Sequence, residues 1–527
     1  MPRTRGQQYP RTREVLGGAP LVGMDDTLDW NVSRPNFARE LTNCYIPPGR
    51  PGRKVVGRPG LDVLLGTLSG KIQHLGQFVK LAGTRYTIAI CGGKFYTLDW
   101  STRTWAEAVN AAAFSGASIT LSSTARCYAT TLADKYIVHD GVNTPWMWDG
   151  TTNGGLTKLT NCPVLYGPIT VYYAKLFGIK SAERDTFVWS EEADPTTGYE
   201  AGGYNNAWSP NGAAAFNAIA ASNNALYLFE SRRAIRITGA VSTDFQTAGT
   251  RSDLDERNGT LSPTLVTDDG IVFVNADGAP YLITGPVQDM WRDCQVATST
   301  MEVSALANAM LVEWPTIDAV LVGVPMSPNT VISQWLIFRV SEGEPRYIGR
   351  WDLGLNDTAA VVLDDDLVPT LLVSGNVDGK VYTMGQPNGS TWDDNFATGG
   401  ATIPHTVTWQ PLGADPDTER QFDRMTVVLD GTASATSLTT RYQTTRSTSL
   451  TQTAAVAGNQ GALLGIGFIL GSSMLTLAAV ERRVVFGLNG AGRWIAPTVS
   501  HDEAGKTFGV KAVSVESYPW GTDYYHP

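Results

Sequence analysis

One phrase recurs along this chain, and it limits the fold more than any other feature. A short run of β-branched and aromatic residues meets a turn holding Gly, Asp or Asn. A second run follows that often ends in Trp, Thr-Gly or Gly. The phrase reads Cys91-Gly-Gly-Lys-Phe-Tyr-Thr-Leu-Asp-Trp100 at one point and Gly270-Ile-Val-Phe-Val-Asn-Ala-Asp-Gly278 at another. Further copies surround Lys135 and Trp146, Leu176 and Phe187, Leu226 and Ile235, and Leu371 and Tyr382. Each is a hairpin signal, because such side chains fit a pleated surface and such turn residues tolerate positive φ. The copies recur at roughly 40–50 residues, the period of β-propeller blades. Closing them into a ring removes the sheet edges that would invite aggregation.

The 527-residue length allows roughly two or three domains and a core that needs no disulfide or metal. Only 17% of residues are charged, while Gly, Thr, Ser and aromatics are plentiful, as in an all-β protein rich in turns. The net charge of −10 argues against a general nucleic-acid binder, but not against a surface along which DNA slides without sticking. Cys44, Cys91, Cys127, Cys162 and Cys294 are odd in number, widely spaced and never paired as CxxC, so reduced, buried thiols are expected. The start carries Arg3, Arg5, Arg11 and Arg13 without an apolar run, so no secretory signal is read and folding in a cytosol is expected.

Three regions follow from the patterning. Residues 1–60 read as an extended N-terminal arm, since Pro47-Pro-Gly-Arg-Pro-Gly52 suits neither a central strand nor a helix. Arg50, Arg53, Lys54 and Arg58 make this the most basic stretch, either a solvated loop or an arm that docks on a partner subunit. Residues 61–400 read as a β-propeller of six or seven blades, least regular over 320–351. Short helical turns are expected over 106–113 and 212–221, and contact loops over 190–198 and 250–257. Residues 401–527 carry alternating strands punctuated by Asp430-Gly and Asn489-Gly, which reads as a C-terminal β-sandwich or platform domain. Segment 462–480 is apolar and of spanning length, but Gly and Ser break it and aromatic anchors are missing. It therefore reads as buried strands or an apolar loop rather than a membrane contact.

Chemical motifs are sparse. The five histidines are scattered without HExxH or HxH spacing, and no GxSxG elbow, P-loop or dinucleotide fingerprint occurs. Asp364-Asp-Asp366 and Asp393-Asp394 are carboxylate clusters; the first reads as a solvated turn, with a cation site or an acid/base pair as the other readings. Asp268-Asp-Gly270 and Asn376-Val-Asp-Gly379 lack full calcium-loop spacing and read as hairpin turns. Trp148, Trp189 and Trp351 fall at strand ends, where rings would fill the space between blades; ligand stacking is the other reading. No enzyme activity, cofactor or metal is expected.

Three passages in order resemble the tail nozzle, or tail tubular, proteins of short-tailed bacteriophages. The first is Asn43-Cys-Tyr-Ile-Pro with Gly57-Arg-Pro-Gly60. The second runs from Val188-Trp-Ser-Glu-Glu-Ala-Asp-Pro195 through Leu228-Phe-Glu-Ser-Arg-Arg-Ala-Ile-Arg-Ile-Thr-Gly239 to Asp269-Gly-Ile-Val-Phe-Val-Asn-Ala-Asp-Gly278. The third is Gly490-Ala-Gly-Arg493 with Val513-Ser-Val-Glu-Ser-Tyr-Pro-Trp-Gly521. The resemblance spans most of the chain and fits least over 443–480.

The resemblance implies a virion structural protein with a propeller beside sandwich-like platform elements. Such proteins assemble with copies of themselves, typically as a hexameric ring, below the portal and its adaptor and beside tail fibre or spike proteins. The ring retains packaged double-stranded DNA and conducts it during ejection. An acidic lumen suits that task, because basic walls would bind the duplex and slow it. Asp364, Asp365, Asp366, Asp393 and Asp394 are the candidate lining acids. The expected location is the virion tail, after assembly in the host cytoplasm. A surface propeller that binds or cleaves polysaccharide is the competing expectation, kept open by the acid-rich turns and the fifteen tryptophans.

Overall fold

A computed structural model of the chain describes residues 14–17, 21–26, 36–48, 54–64, 68, 70–108, 121–151, 155–203, 215–222, 225–239, 251–255, 257–290, 292–341, 345–376, 379–385, 394, 401–413, 418–429, 436–446, 451–456, 482–503, 506 and 509–519. The protein is all-β and propeller-like. Unit 1 is an antiparallel four-stranded sheet beginning with Ile72–Val79, and units 2 to 5 are sheets of the same kind beginning with Tyr128–Leu132, Leu165–Tyr172, Ala218–Ser222 and Leu265–Thr267. Unit 6 begins with Met310–Trp314 and unit 7 with Ala359–Leu363. The first strands touch in cyclic order, each against the next and the seventh against the first.

Unit 7 holds only three strands from its own stretch. Its fourth is Leu61–Val63, which precedes unit 1 and pairs through Leu61↔Met384, Asp62↔Thr383 and Val63↔Tyr382. The two ends of the repeat region are thus held by one ladder. Aromatic rings fill the space between several neighbouring units, while the buried contacts between units 2 and 3 and between units 7 and 1 are aliphatic. Trp148 packs with Phe78, Phe95 and Tyr136 across units 1 and 2, and Trp189 with Phe177, Ile219 and Leu226 across units 3 and 4. Trp351 joins Trp314 and Leu371 across units 6 and 7. All three indoles are buried, and rings of this size bring a large apolar area to each contact.

Several turns use residues that sequence rules would not choose. Gly92 and Gly93 have φ of 57° and 77°, which suits glycine. The two-residue turns Ala133-Asp134 and Tyr173-Ala174 have the same hand, with φ of 47°, 58°, 45° and 52°. There the flanking strands fix the register and the turn residues accept the strain.

The second part of the protein has two sheets around a common core, with Val427, Phe486 and Val515 from one sheet meeting Val407, Leu438 and Val499 from the other. Strands from before unit 1 complete it. Glu14–Gly17 pairs with Gly509–Pro519, and Cys44–Tyr45 and Val55–Gly57 extend the same sheet. In the other sheet, Phe37–Thr42 lies between His405–Trp409 and the outer strand of unit 6, Arg346–Trp351. Unit 6 therefore runs without a break into a ten-stranded sheet.

The chain passes between the two parts near Arg58 and Asp394, and these residues form a buried ion pair with side chains 1% and 7% exposed. The Arg58 guanidinium donates through Nη1 to Asp394 Oδ1 (2.8 Å) and Pro59 O (3.1 Å). Nη2 donates to Asp352 O (2.8 Å) and to Asp394 Oδ2, and Nε donates to Asn43 Oδ1 (3.1 Å). All five guanidinium N–H groups are therefore satisfied. Asp394 Oδ1 also accepts from Leu61 N (3.0 Å), which ties the ring-closing strand to the same point.

Several expectations need correction. Arg58 is enclosed within its own chain and is not an exposed docking residue, and Asp394 faces Arg58 rather than a channel. Residue 106 lies in the strand Thr104–Glu107 and residues 218–221 in Ala218–Ser222, not in helical turns, because each pairs with a neighbouring strand; 109–113 and 212–214 lie outside the described residues. Residues Arg251–Asp255 are the fourth strand of unit 4, not a loop. The stretch 320–351 supplies the second to fourth strands of a unit that Met310–Trp314 completes. It hid its alternation because Val320, Val322 and Val324 enter one core and Ala319 and Leu321 another, leaving no polar face.

Two outcomes are expected. Arg58→Ala leaves Asp394 charged and unpaired and costs about 3–5 kcal/mol in urea unfolding. Ala174→Gly relieves a left-handed alanine and stabilises by about 1 kcal/mol in the same measurement.

Candidate functional site at the mouth of the ring

The leading ends of the first strands converge on one end of the ring. A cavity of about 190 Å³ is lined by His74, Cys127, Thr264, Met310 and Thr358, each at or near the start of a first strand in units 1, 2, 5, 6 and 7, and by Ile169 from the middle of the first strand of unit 3. These strands consequently run in one direction along the ring axis. Beside it lies a cavity of about 270 Å³ lined by Lys71, Gln73, Asn308, Asn356 and Asp357. Arg126 lines both cavities.

Arg126 braces this mouth. Its Nη1 donates to Ala307 O (3.2 Å) and Ala309 O (3.0 Å), and its Nη2 to Asn308 O (2.9 Å) and Asp357 O (3.2 Å). Three of these carbonyls lie at the end of the 3₁₀ turn Val303–Asn308. Helix ends leave carbonyls without intrahelical partners, and a permanently charged guanidinium satisfies them well. The brace joins unit 2 to the leading ends of units 6 and 7, skipping unit 1.

The loop that carries Arg126 is itself held. Gln73 Nε2 donates to Ser122 O and Ala125 O, both at 2.6 Å, while Gln73 Oε1 accepts from Gly93 N (2.7 Å). Asp140 Oδ2 accepts from Ser122 N (2.6 Å). Nearby, Lys71 Nζ lies 3.5 Å from Asp357 Oδ1, whose side chain is 4% exposed. His139 is fully buried. Its Nδ1 accepts from Gly141 N (3.2 Å), so Nε2 carries the proton and donates to Gly167 O (2.9 Å). Burial holds its pKa down at about 4, and that of His74 likewise.

The arrangement is a brace with one carboxylate beside two cations. Among the described residues no group of three or more His, Cys, Asp or Glu side chains could hold a metal. All five thiols are free and buried; burial pushes Cys91 up to about 11.

The residues singled out from sequence do not meet at one place. Asp364 caps its own turn, Oδ1 accepting from Asp366 N (3.0 Å) and Val368 N (2.9 Å), while Asp365 and Asp366 are exposed. Lys54 is half-buried. Arg50, Arg53 and Asp393 lie outside the described residues, as does segment 462–480. Among the described residues no helix is long and apolar enough to cross a membrane. Sequence reading missed Arg126, Gln73 and Asp357, because a single arginine before a strand carries no local signal; its partners are far along the chain.

No family model matches the chain, and no curated protein matches it. Solved structures similar to it include the extracellular domain of a one-component system from B. thetaiotaomicron, at 8% identity and a TM-score of 0.40 over 62% of this chain and 40% of that one. PorZ, a surface component of the type-IX secretion system of Porphyromonas gingivalis, matches at 9% identity and 0.40, over 66% and 42%. BamB from Moraxella catarrhalis matches at 13% and 0.37, over 65% and 94%. The chain thus spans about two fifths of the length of the first two. Likeness at this level fixes neither fold nor function.

The buried histidines set a pH dependence. Their folded pKa lies below the unfolded value, so the unfolded chain takes up protons first as pH falls. Stability is fully present above about pH 6.5 and is lost progressively toward about pH 4. Melting temperatures measured from pH 8 to pH 4 are expected to fall in that window, with a shallower slope in His139→Gln.

Proposed function

We propose that this chain is a structural subunit of a ring-shaped assembly, the tail nozzle of a short-tailed bacteriophage, and that its seven units are the blades of one closed propeller. The observation that supports this best is the ten-stranded sheet that carries unit 6 into the second part of the protein. Domains joined by a linker move relative to one another by default. Here a backbone ladder, a shared apolar core and the Arg58–Asp394 pair replace the hinge. A subunit that retains DNA under pressure needs that stiffness, and the acidic chain suits passage of a duplex without adhesion. In this reading the subunit works as a virion component, bound to copies of itself, to the adaptor above and to fibre or spike proteins beside it.

A polysaccharide-binding surface propeller is the second reading. It is favoured by a cleft of about 220 Å³ between units 1 and 7, where Trp100 and Arg103 face Asp62 and Asp364. A ring, a cation and carboxylates are groups that hold hydroxylated ligands.

Negative-stain imaging of the purified protein, alone and mixed with an adaptor protein of a short-tailed bacteriophage, separates the two. Rings with a channel wide enough for duplex DNA are the expected result. A monodisperse monomer that binds no adaptor but retains a glycan would overturn the nozzle reading.

A further inference from the structure

The two ends of the ring differ. The first strands run away from the braced mouth, so the turns that follow them lie together at the opposite end. Among the described residues, half of the exposed large apolar side chains lie there, with Val142, Val303 and Leu355 exposed near the mouth. Leu81 is 89% exposed and Leu367 55%, with Val79, Tyr173 and Val266 also at or beside these turns. The turns of units 7, 1 and 2 are contiguous. Gln77 exchanges two hydrogen bonds with the backbone of Leu363 (2.6 and 3.2 Å), and Leu81 N donates to Asp134 Oδ1 (2.6 Å).

This rim is acidic as well as apolar. Asp134 and the 364–366 run stand on it, against three cations: Lys80, whose ammonium donates to Asp149 O (3.0 Å), Lys135, whose ammonium lies 3.8 Å from Asp149 Oδ2, and the exposed Arg85. Leu367 adopts φ of 66°, a conformation that glycine or asparagine takes at less cost. An exposed leucine held in left-handed backbone is a poor choice for a turn that only connects two strands. The Leu367 side chain stands exposed at the tip of that turn, open to a contact.

The complement of this rim is a basic segment with apolar side chains, and the chain has one. Residues 1–13 carry Arg3, Arg5, Arg11 and Arg13, together with Tyr9 and two prolines, and no Asp or Glu. They precede Glu14–Gly17, which is fixed to the edge of the second part. Thirteen extended residues reach about 45 Å, comparable to the width of a neighbouring domain.

We propose that the rim formed by the hairpin turns of units 7, 1 and 2 docks residues 1–13 of a second copy of this chain. The proposal rests on the assembly reading above. Arginine guanidinium groups pair with the Asp134 and 364–366 carboxylates, while Tyr9 and the prolines cover Leu81 and Leu367.

The test titrates a fluorescent peptide of residues 1–13 against the full chain, with a scrambled peptide of the same composition as control. Asp365→Lys with Asp366→Lys is expected to weaken binding about tenfold. Leu367→Gly is expected to weaken binding several-fold while raising the melting temperature, because it removes both the contact and the strain. Peptide binding that ignores both changes, or a scrambled peptide that binds equally well, overturns the docking. Cross-linking in a mixture of isotopically light and heavy copies then reads the source: links from residues 1–13 to the rim of another copy support the proposal, and links only within a copy overturn it. Rings that form unchanged after deletion of residues 1–13 sink the docking but leave the assembly reading standing. Retained rim binding without rings does the reverse.

Discussion

The structure depends on a charge taken out of water. Arg58 and Asp394 sit where the chain enters and leaves the ring of sheets, and both are buried. An isolated charge in that position would cost several kcal/mol, so the pair persists only because every guanidinium donor and both carboxylate oxygens are met. Pro59 is adjacent in the chain; the other partners come from other stretches, Asn43 and Asp352 for the guanidinium and, for the Asp394 carboxylate, Leu61. Each is usable only if the ring is closed and the second part is in place. The pair acts less as a source of stability than as a condition of correct assembly within the chain.

Two further devices work in the same way. The ladder between Leu61–Val63 and Val381–Met384 joins the start of the repeats to their end, and Arg126 braces unit 2 against units 6 and 7. Both connect elements far apart in sequence, and neither has a local substitute. Between them, apolar clusters join one unit to the next, aromatic at some contacts and aliphatic between units 2 and 3 and between units 7 and 1. The mouth end is tied by backbone carbonyls and cations, whereas the turns at the opposite end carry the most exposed leucine, Leu81, and the exposed Asp365 and Asp366. That polarity gives the ring two chemically different faces.

Much of the fold was legible because hairpins are local objects. Glycines at 92 and 93, the Asn275-Ala-Asp-Gly278 turn and the alternating strands near 427 and 513 announce themselves through a few neighbouring residues. The site residues were not legible for the opposite reason. Arg58 stood in the most basic stretch of the chain and looked exposed; its partner lies more than three hundred positions away. Asp394 looked like one of two adjacent solvated acids. Unit 6 looked irregular because both of its faces are apolar, which erases the period-two signal. The turn Tyr173-Ala174 lacks turn residues because its strands, not its composition, set the register.

The amino-acid sequence by itself determined the all-β class, the recurrence of hairpin units and the burial of the tryptophans between them. Those properties follow from side-chain shape and turn chemistry over ten or so neighbouring residues. Only the tertiary structure decided which charges are buried, which strand closes the ring, how unit 6 extends into the second part and where Arg126 finds its carbonyls. Those depend on Coulomb and hydrogen-bond partners brought together by closure of the chain, and no local window of sequence contains both members of such a pair.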